Sequence, residues 1–238
     1  MTEEMLDELG NACWCGLHGS STLRLCHTRD IRKDNTRLFC LNISQNTTVS
    51  LCWRDIALGV RVSPMVTREV VQPEQFRFND DGVFPNSVLP LLIYRHAIPG
   101  DGQDPASLLE ERFTENDWCN SWRNGVYPFA HYHSTTHEIL GVYRGGATLR
   151  LGGDHGRTLE VRSGDVIVIP AGVAHQKLEA TGDFAVVGAY PDGRDWDLLR
   201  GIPGERPEAD RKIAALPIPD NDPIYGADGP LRKIWKAN

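Results

Sequence analysis

Three histidines and one glutamate set the chemistry. The stretch from Gly125 to Glu138 places His131 and His133 two residues apart. Alternate side chains of a strand share a face, so Tyr127, Phe129, His131 and His133 are expected to point the same way. Ser134, Thr135 and Thr136 then turn the chain, and the returning strand brings Glu138 beside the imidazoles. A second stretch runs from Gly164 to His175. Gly164 and Asp165 make a turn, Val166–Ile169 a buried strand, and Pro170 to Gly172 a tight turn, after which His175 supplies a third imidazole. Three imidazoles and a carboxylate at one point suit a divalent metal ion. Burying so many polar groups without a ligand would cost several kcal/mol.

The elements that must position these residues read as a β domain over residues 66–192. Short apolar runs recur between turn residues: 89–96, 148–151, 158–161, 166–169, 175–179 and 184–190. A glycine-rich loop at Gly152, Gly153 and Gly156 joins two of them as a hairpin. One helix interrupts, with Asp104 as N-cap and Pro105 at its first position. Leu108, Leu109, Arg112 and Phe113 lie along its face and should pack outside the barrel. Residues 193–238 are expected to form an extended arm on the barrel or on a second subunit. A short helix is plausible at 207–216, and Pro217, Pro219, Pro223 and Pro230 exclude a regular element after it. Residues 1–65 show no sustained period and read as a disordered or loosely packed extension. Leu38 to Ile43 suits a short strand but has no evident partner. Cys13, Cys15, His18, Cys26 and His27 match no usual structural zinc spacing. The sequons at Asn42 and Asn46 are short enough to arise by chance. A true start near Met65 is the alternative account of this segment, which intact mass would decide.

The first stretch fits the cupin motif G-x5-H-x-H-x4-E-x6-G at Gly125, His131, His133, Glu138 and Gly145. The second fits G-x5-P-x-G-x2-H-x3-N at Gly164, Pro170, Gly172 and His175, with Glu179 in place of the asparagine. Over roughly residues 73–235 the chain resembles the YjlB-type single-domain cupins. The resemblance implies an all-β fold, a double-stranded β-helix or jelly-roll barrel with a few short peripheral helices. It also implies one metal inside the barrel on His131, His133, His175 and Glu138. A divalent transition ion is expected, whether Fe, Mn, Ni, Cu or Zn. A cupin that has lost its metal and kept the imidazoles as acid/base groups is the other reading.

The neighbouring residues carry two readings each. His137 could replace or join Glu138 if the strand ran straight through the turn. Tyr127 and Phe129 line the pocket above the metal or belong to the barrel core, and Arg123 reaches a substrate from the rim or is a surface arginine. Lys177 and Glu179 share the parity of His175. They face the pocket, as candidates with Glu138 for moving a proton, or lie on a wet sheet face. His96 and His155 are expected to be solvated, and Trp118, Cys119 and Trp122 to pack. Open ligand positions suit a metal-dependent enzyme, a dioxygenase or isomerase acting on a small polar molecule. The alternative is a non-catalytic cupin that binds a small ligand or is structural.

The whole chain agrees with this frame. Its 238 residues carry a net charge of −7 without a basic block, which disfavours nucleic-acid and membrane partners. The acidic N-terminus lacks a signal pattern, so a cytoplasmic location is expected and disulfides are not. Open jelly-roll edges and the apolar arm suggest a homodimer.

Overall fold

The structure is a computed structural model, and it describes residues 24–30, 35–41, 70–98 and 104–236. The chain divides into two compact units, Met1–Val66 and Thr67–Asn238. In the first, β1 (Arg24–Asp30) pairs antiparallel with β2 (Asn35–Leu41), from Arg24 opposite Leu41 to Asp30 opposite Asn35. The strand expected near Leu38 therefore has a partner. Backbone pairing does not require apolar alternation, so the pattern did not disclose it. The sequons and the Cys13, Cys15 and His18 positions lie outside the described residues, as do the side chains of Cys26 and His27.

The second unit is a jelly-roll barrel of two antiparallel sheets. Its strands are β3 (Glu74–Phe78), β4 (Ser87–Tyr94), β5 (Trp118–Asn124), β6 (Glu138–Arg144), β7 (Gly146–Leu151), β8 (Arg157–Arg162), β9 (Val166–Ile169), β10 (His175–Ala180) and β11 (Ala185–Pro191). Six form one sheet in the order β3-β4-β9-β6-β11-β5, and three form the other in the order β10-β7-β8. The period of two sorts the side chains. Leu91, Ile93, Leu140, Val142, Ile167 and Ile169 face inward against Leu149, Leu151 and Val161 of the smaller sheet. Leu92, Tyr94, Ile139, Val166 and Val168 face outward into a second core. Burial of both faces explains why 89–94 and 166–169 read as unbroken apolar runs.

The outer core is closed by helices and by the C-terminal segment. Helix α1 (Pro105–Glu115) starts as expected, with the Asp104 carboxylate accepting from the Ser107 amide at 3.3 Å. It buries Ala106, Leu109 and Phe113 against the six-stranded sheet. Two short helices follow, α2 (Glu208–Ala214) and α3 (Pro230–Lys236). The expectation of no regular element after the prolines fails at α3. Pro230 opens the helix, where a missing N–H costs no hydrogen bond. Leu231, Ile234 and Trp235, at helical spacing, pack on the outer face with Ile224. The edge strand β5 was not foreseen as a strand, because its mixed sequence WCNSWRN carries little apolar signal. No helix among the described residues is long and apolar enough to cross a membrane.

Candidate metal centre

The segment carrying His131 and His133 is not a regular strand, contrary to expectation; it holds only isolated bridges. Pro128 has no N–H to give a ladder. The backbone is pinned on both sides nonetheless. His131 and His175 exchange both amide–carbonyl bonds, at 3.2 and 2.9 Å, and Tyr132 and Leu199 do the same at 2.9 and 3.0 Å. Extended parity survives: Tyr132 is buried on the opposite side, edge-on to Phe84, while both histidines face into the barrel. The turn at Gly172 is tied in by its amide, which donates to the His133 carbonyl at 2.8 Å. Only glycine serves there. Its φ is +91°, and a Cβ would stand 2.2 Å from the Asn86 carbonyl oxygen.

The structure brings His131, His133 and His175 together, with one ring nitrogen of each within 4.8 Å of the others. All three are buried. Each Nδ1–H donates to a backbone carbonyl: His131 to Phe129 at 3.2 Å, His175 to Val173 at 3.2 Å, and His133 to Asp197. This fixes the tautomer, so that every Nε2 lone pair is left for the centre. Glu138 opens β6, and its Oε2 lies 3.1 Å from His175 Nε2 and 3.4 Å from His133 Nε2. Its Oε1 accepts from the Tyr190 hydroxyl at 3.3 Å, and the Trp122 indole donates to that hydroxyl at 2.8 Å. His133 Nε2 and Glu138 Oε2 are buried without a hydrogen-bond partner. That pair of orphaned atoms, one imidazole and one carboxylate, fits a divalent transition ion in donor type.

The electrostatics agree for His131 and Glu138. Burial would raise the Glu138 carboxyl, but His133 and His175 outweigh it and hold the group well below the usual carboxylate range. Burial, aided by His175 and His133, pushes His131 down to about 3. Burial would lower the His133 imidazole, but Glu138 and Asp197 together outweigh it and raise it. A neutral imidazole at His131 and an ionised Glu138 are ligating forms.

Other expected site residues divide. His137 is buried but apart from the triad. Its Nδ1 accepts from the Ala171 amide at 3.0 Å, its Nε2–H donates to the Pro217 carbonyl at 3.3 Å, and its ring lies against Trp235. Tyr127 lines the cavity and stacks on Phe129 at 4.8 Å between centroids, while Phe129 carries the Arg200 guanidinium on its face. Arg123 is at the wall, but α1 holds its guanidinium through Glu110 at 2.7 Å and Asp104 at 3.3 Å. Lys177 lines the cavity and Glu179 does not. A β-bulge after Lys177 pairs Glu179 with Thr148 and turns it to the exposed face, which breaks the parity assumed from His175. His155 lies at an outer groove, and His96 Nε2 meets the Arg162 guanidinium at 3.2 Å.

Sequence reasoning missed Tyr190, Trp196 and Asp197, and gave Trp122 only a packing role. The Asp197 carboxylate accepts from the Ser134 amide at 2.6 Å and from the Ser134 hydroxyl, which anchors the loop beside His133. Trp196 lies over the same rings, 5.6 Å from His133 and 6.4 Å from Tyr190. An aromatic between two aspartates just after the last strand was the available signal. Together these walls enclose a cavity of about 560 Å³ that opens onto His131, His133, His175 and Glu138.

Residues 120–191 match the Cupin family. The chain is 43% identical over 165 residues to the uncharacterized protein YjlB of Bacillus subtilis (strain 168), covering 69% of this chain and 97% of that one. Among solved structures it is similar to acireductone dioxygenase from Bacillus anthracis, solved with a cadmium ion in its active center. The TM-score is 0.32 at 14% identity, over 44% of this chain and 80% of that one. Procruciferin, an 11S globulin from Brassica napus, gives a TM-score of 0.28 at 18% identity, over 33% of this chain and 21% of the globulin.

Proposed function

Because this chain belongs to the YjlB-type cupins, we propose that it is a metal-dependent enzyme, of dioxygenase or isomerase type, acting on a small polar molecule. The observation that carries the reading is the pair of orphaned atoms, His133 Nε2 and Glu138 Oε2, facing His175 at the cavity floor. His131, His133 and His175 through Nε2, with Glu138 through Oε2, would hold one divalent ion of the Fe, Mn, Ni, Cu or Zn class. Such an ion, when bound, supplies Lewis acidity or a place for O₂.

The chain's own residues do the rest. The Tyr190 hydroxyl orients the Glu138 carboxylate, and the Trp122 indole fixes that hydroxyl. Burial keeps Tyr190 protonated and therefore a donor. Tyr127 and Trp196 flank the entrance, where their rings exclude water and accept a planar or apolar part of the substrate. The proposal extends to a cytoplasmic homodimer. Edge strands β3 and β5 support that state, and Val88 on β4, next to β3, is 82% exposed. Light scattering of a monomer at micromolar concentration would remove the dimer.

Metal content by mass spectrometry, on protein purified without chelators or affinity tag, tests the central reading. About one equivalent of a transition metal is expected in the wild type. His133→Ala and His175→Ala should lose it. Iron would direct the search to substrate-dependent O₂ uptake, and Mn, Ni or Zn to isomerase screens. A folded wild type that stays metal-free after reconstitution would sink the proposal.

A further inference from the structure

Lys177 is the charged wall residue that the proposed reaction leaves unused. On β10, His175 pairs with Leu151 and Lys177 with Leu149, both inward-facing residues of β7, so both side chains enter the barrel. The ammonium lies over Gly125, where a Cβ would be 3.9 Å from Nζ. No carboxylate or carbonyl holds it among the described residues. Arg123, the other cation of the wall, is neutralised by Glu110 and Asp104. Glu138 is turned into the histidines, and Glu179 is turned out of the barrel. A half-buried ammonium is strongly hydrated, so packing alone gives no reason to keep it in a cavity.

We propose that Lys177 is the anion-binding end of the substrate pocket. It receives the carboxylate or phosphate of a small molecule whose oxygen-bearing other end faces His131, His133 and His175. Two residues of strand set the Cα atoms of His175 and Lys177 about 7 Å apart, and both side chains line one cavity of small-molecule size. The substrate class is thus a short oxygenated acid with an anionic group at its far end. Lys177 is a specificity-determining residue for that class. The inference rests on the metal-dependent reading for the ligand's inner end only; the outer end depends on Lys177 alone.

Calorimetric binding to the full-length protein, loaded with Co(II), tests it with two probe pairs. Malate and lactate differ by a distal carboxylate, and phosphoglycolate and glycolate differ by a phosphate. Wild type and Lys177→Arg should bind the more anionic member of at least one pair about tenfold tighter or better. Lys177→Met should bind both members alike, with unchanged lactate and glycolate affinity and unchanged Co(II) stoichiometry. The pair with the larger gain names the anion. Equal binding within both pairs in wild type, no binding of either anionic probe, or a gain that survives in Lys177→Met overturns the inference while Co(II) uptake leaves the metal reading standing. Conversely, a Lys177-dependent gain in protein that takes up no Co(II) keeps the anion site and removes the metal reading.

Discussion

His133 and Glu138 are each held from the side away from the centre. The Asp197 carbonyl accepts a hydrogen bond from His133 Nδ1–H, and the Tyr190 hydroxyl, itself fixed by Trp122, donates to one oxygen of Glu138. Such outer partners tune affinity more than stoichiometry. Tyr190→Phe should weaken metal binding about 10- to 100-fold in chelator competition while still saturating at one equivalent. An unchanged affinity would mean that the hydroxyl only packs. His137 makes the contrasting case. Burial, with help from Arg194 and against the Pro217 carbonyl, pushes it down to about 4. Its ordinary value is near 6.5, so between those limits the unfolded chain binds a proton that the folded chain refuses. Stability is therefore full above about pH 6.5 and falls as pH drops through about 4, by up to roughly 3 kcal/mol. Urea unfolding from pH 7 to 4.5 should show a shallower acid limb for His137→Gln than for wild type; parallel limbs would refute this. His131, His133 and Glu138 were legible because they lie close together across one turn, and His175 through the second stretch that resembles the cupin motif. Tyr190 and Asp197 were not, since each meets the site from more than 50 residues away in sequence.

Elements deliver these residues through a few backbone junctions. Gly172 joins β9 to β10, and its N–H, donating to the His133 carbonyl, ties the third histidine to the second. Alanine at this position would combine a left-handed φ with a Cβ against the Asn86 carbonyl, which is backbone and cannot step aside. Gly172→Ala should therefore destabilise the fold by about 2 kcal/mol or more, and lower metal affinity together with stability. Equilibrium unfolding of the metal-free and metal-loaded forms checks both effects, and a loss confined to one form would contradict the coupling. The strands of the barrel were largely visible from their apolar runs. The bulge that turns Glu179 outward was not, because one extra residue in a strand leaves no mark on composition. The helix α3 was hidden by its proline, which reads as a breaker until its place at the first turn is known.

At the scale of the molecule, one sheet separates two tasks. Its inner face looks into the barrel, where Glu138 of β6 meets the three histidines, and its outer face is closed by α1 and the C-terminal segment. That segment is clasped by a buried carboxylate. Asp222 accepts from the Tyr94 hydroxyl and from the amides of Ile224, Tyr225 and Leu231, at 2.9, 3.1 and 3.0 Å for the amides. Trp235, fully buried, donates to the Pro90 carbonyl at 2.9 Å. Removing the carboxylate leaves four donors stranded in an apolar core, so Asp222→Ala should cost at least about 3 kcal/mol. Trp235→Ala should cost about 3–5 kcal/mol through the cavity it opens. Neither touches a ligand, so both variants, studied below their lowered melting temperatures, should still take up one equivalent of metal and be stabilised by it. His175→Ala should behave in the opposite way, with a near-normal metal-free melting temperature and no shift on adding the ion. Loss of metal uptake in folded Asp222→Ala would show instead that the outer layer sets the geometry of the inner one, with His137, wedged between Trp235 and the Gly172 turn, as the link.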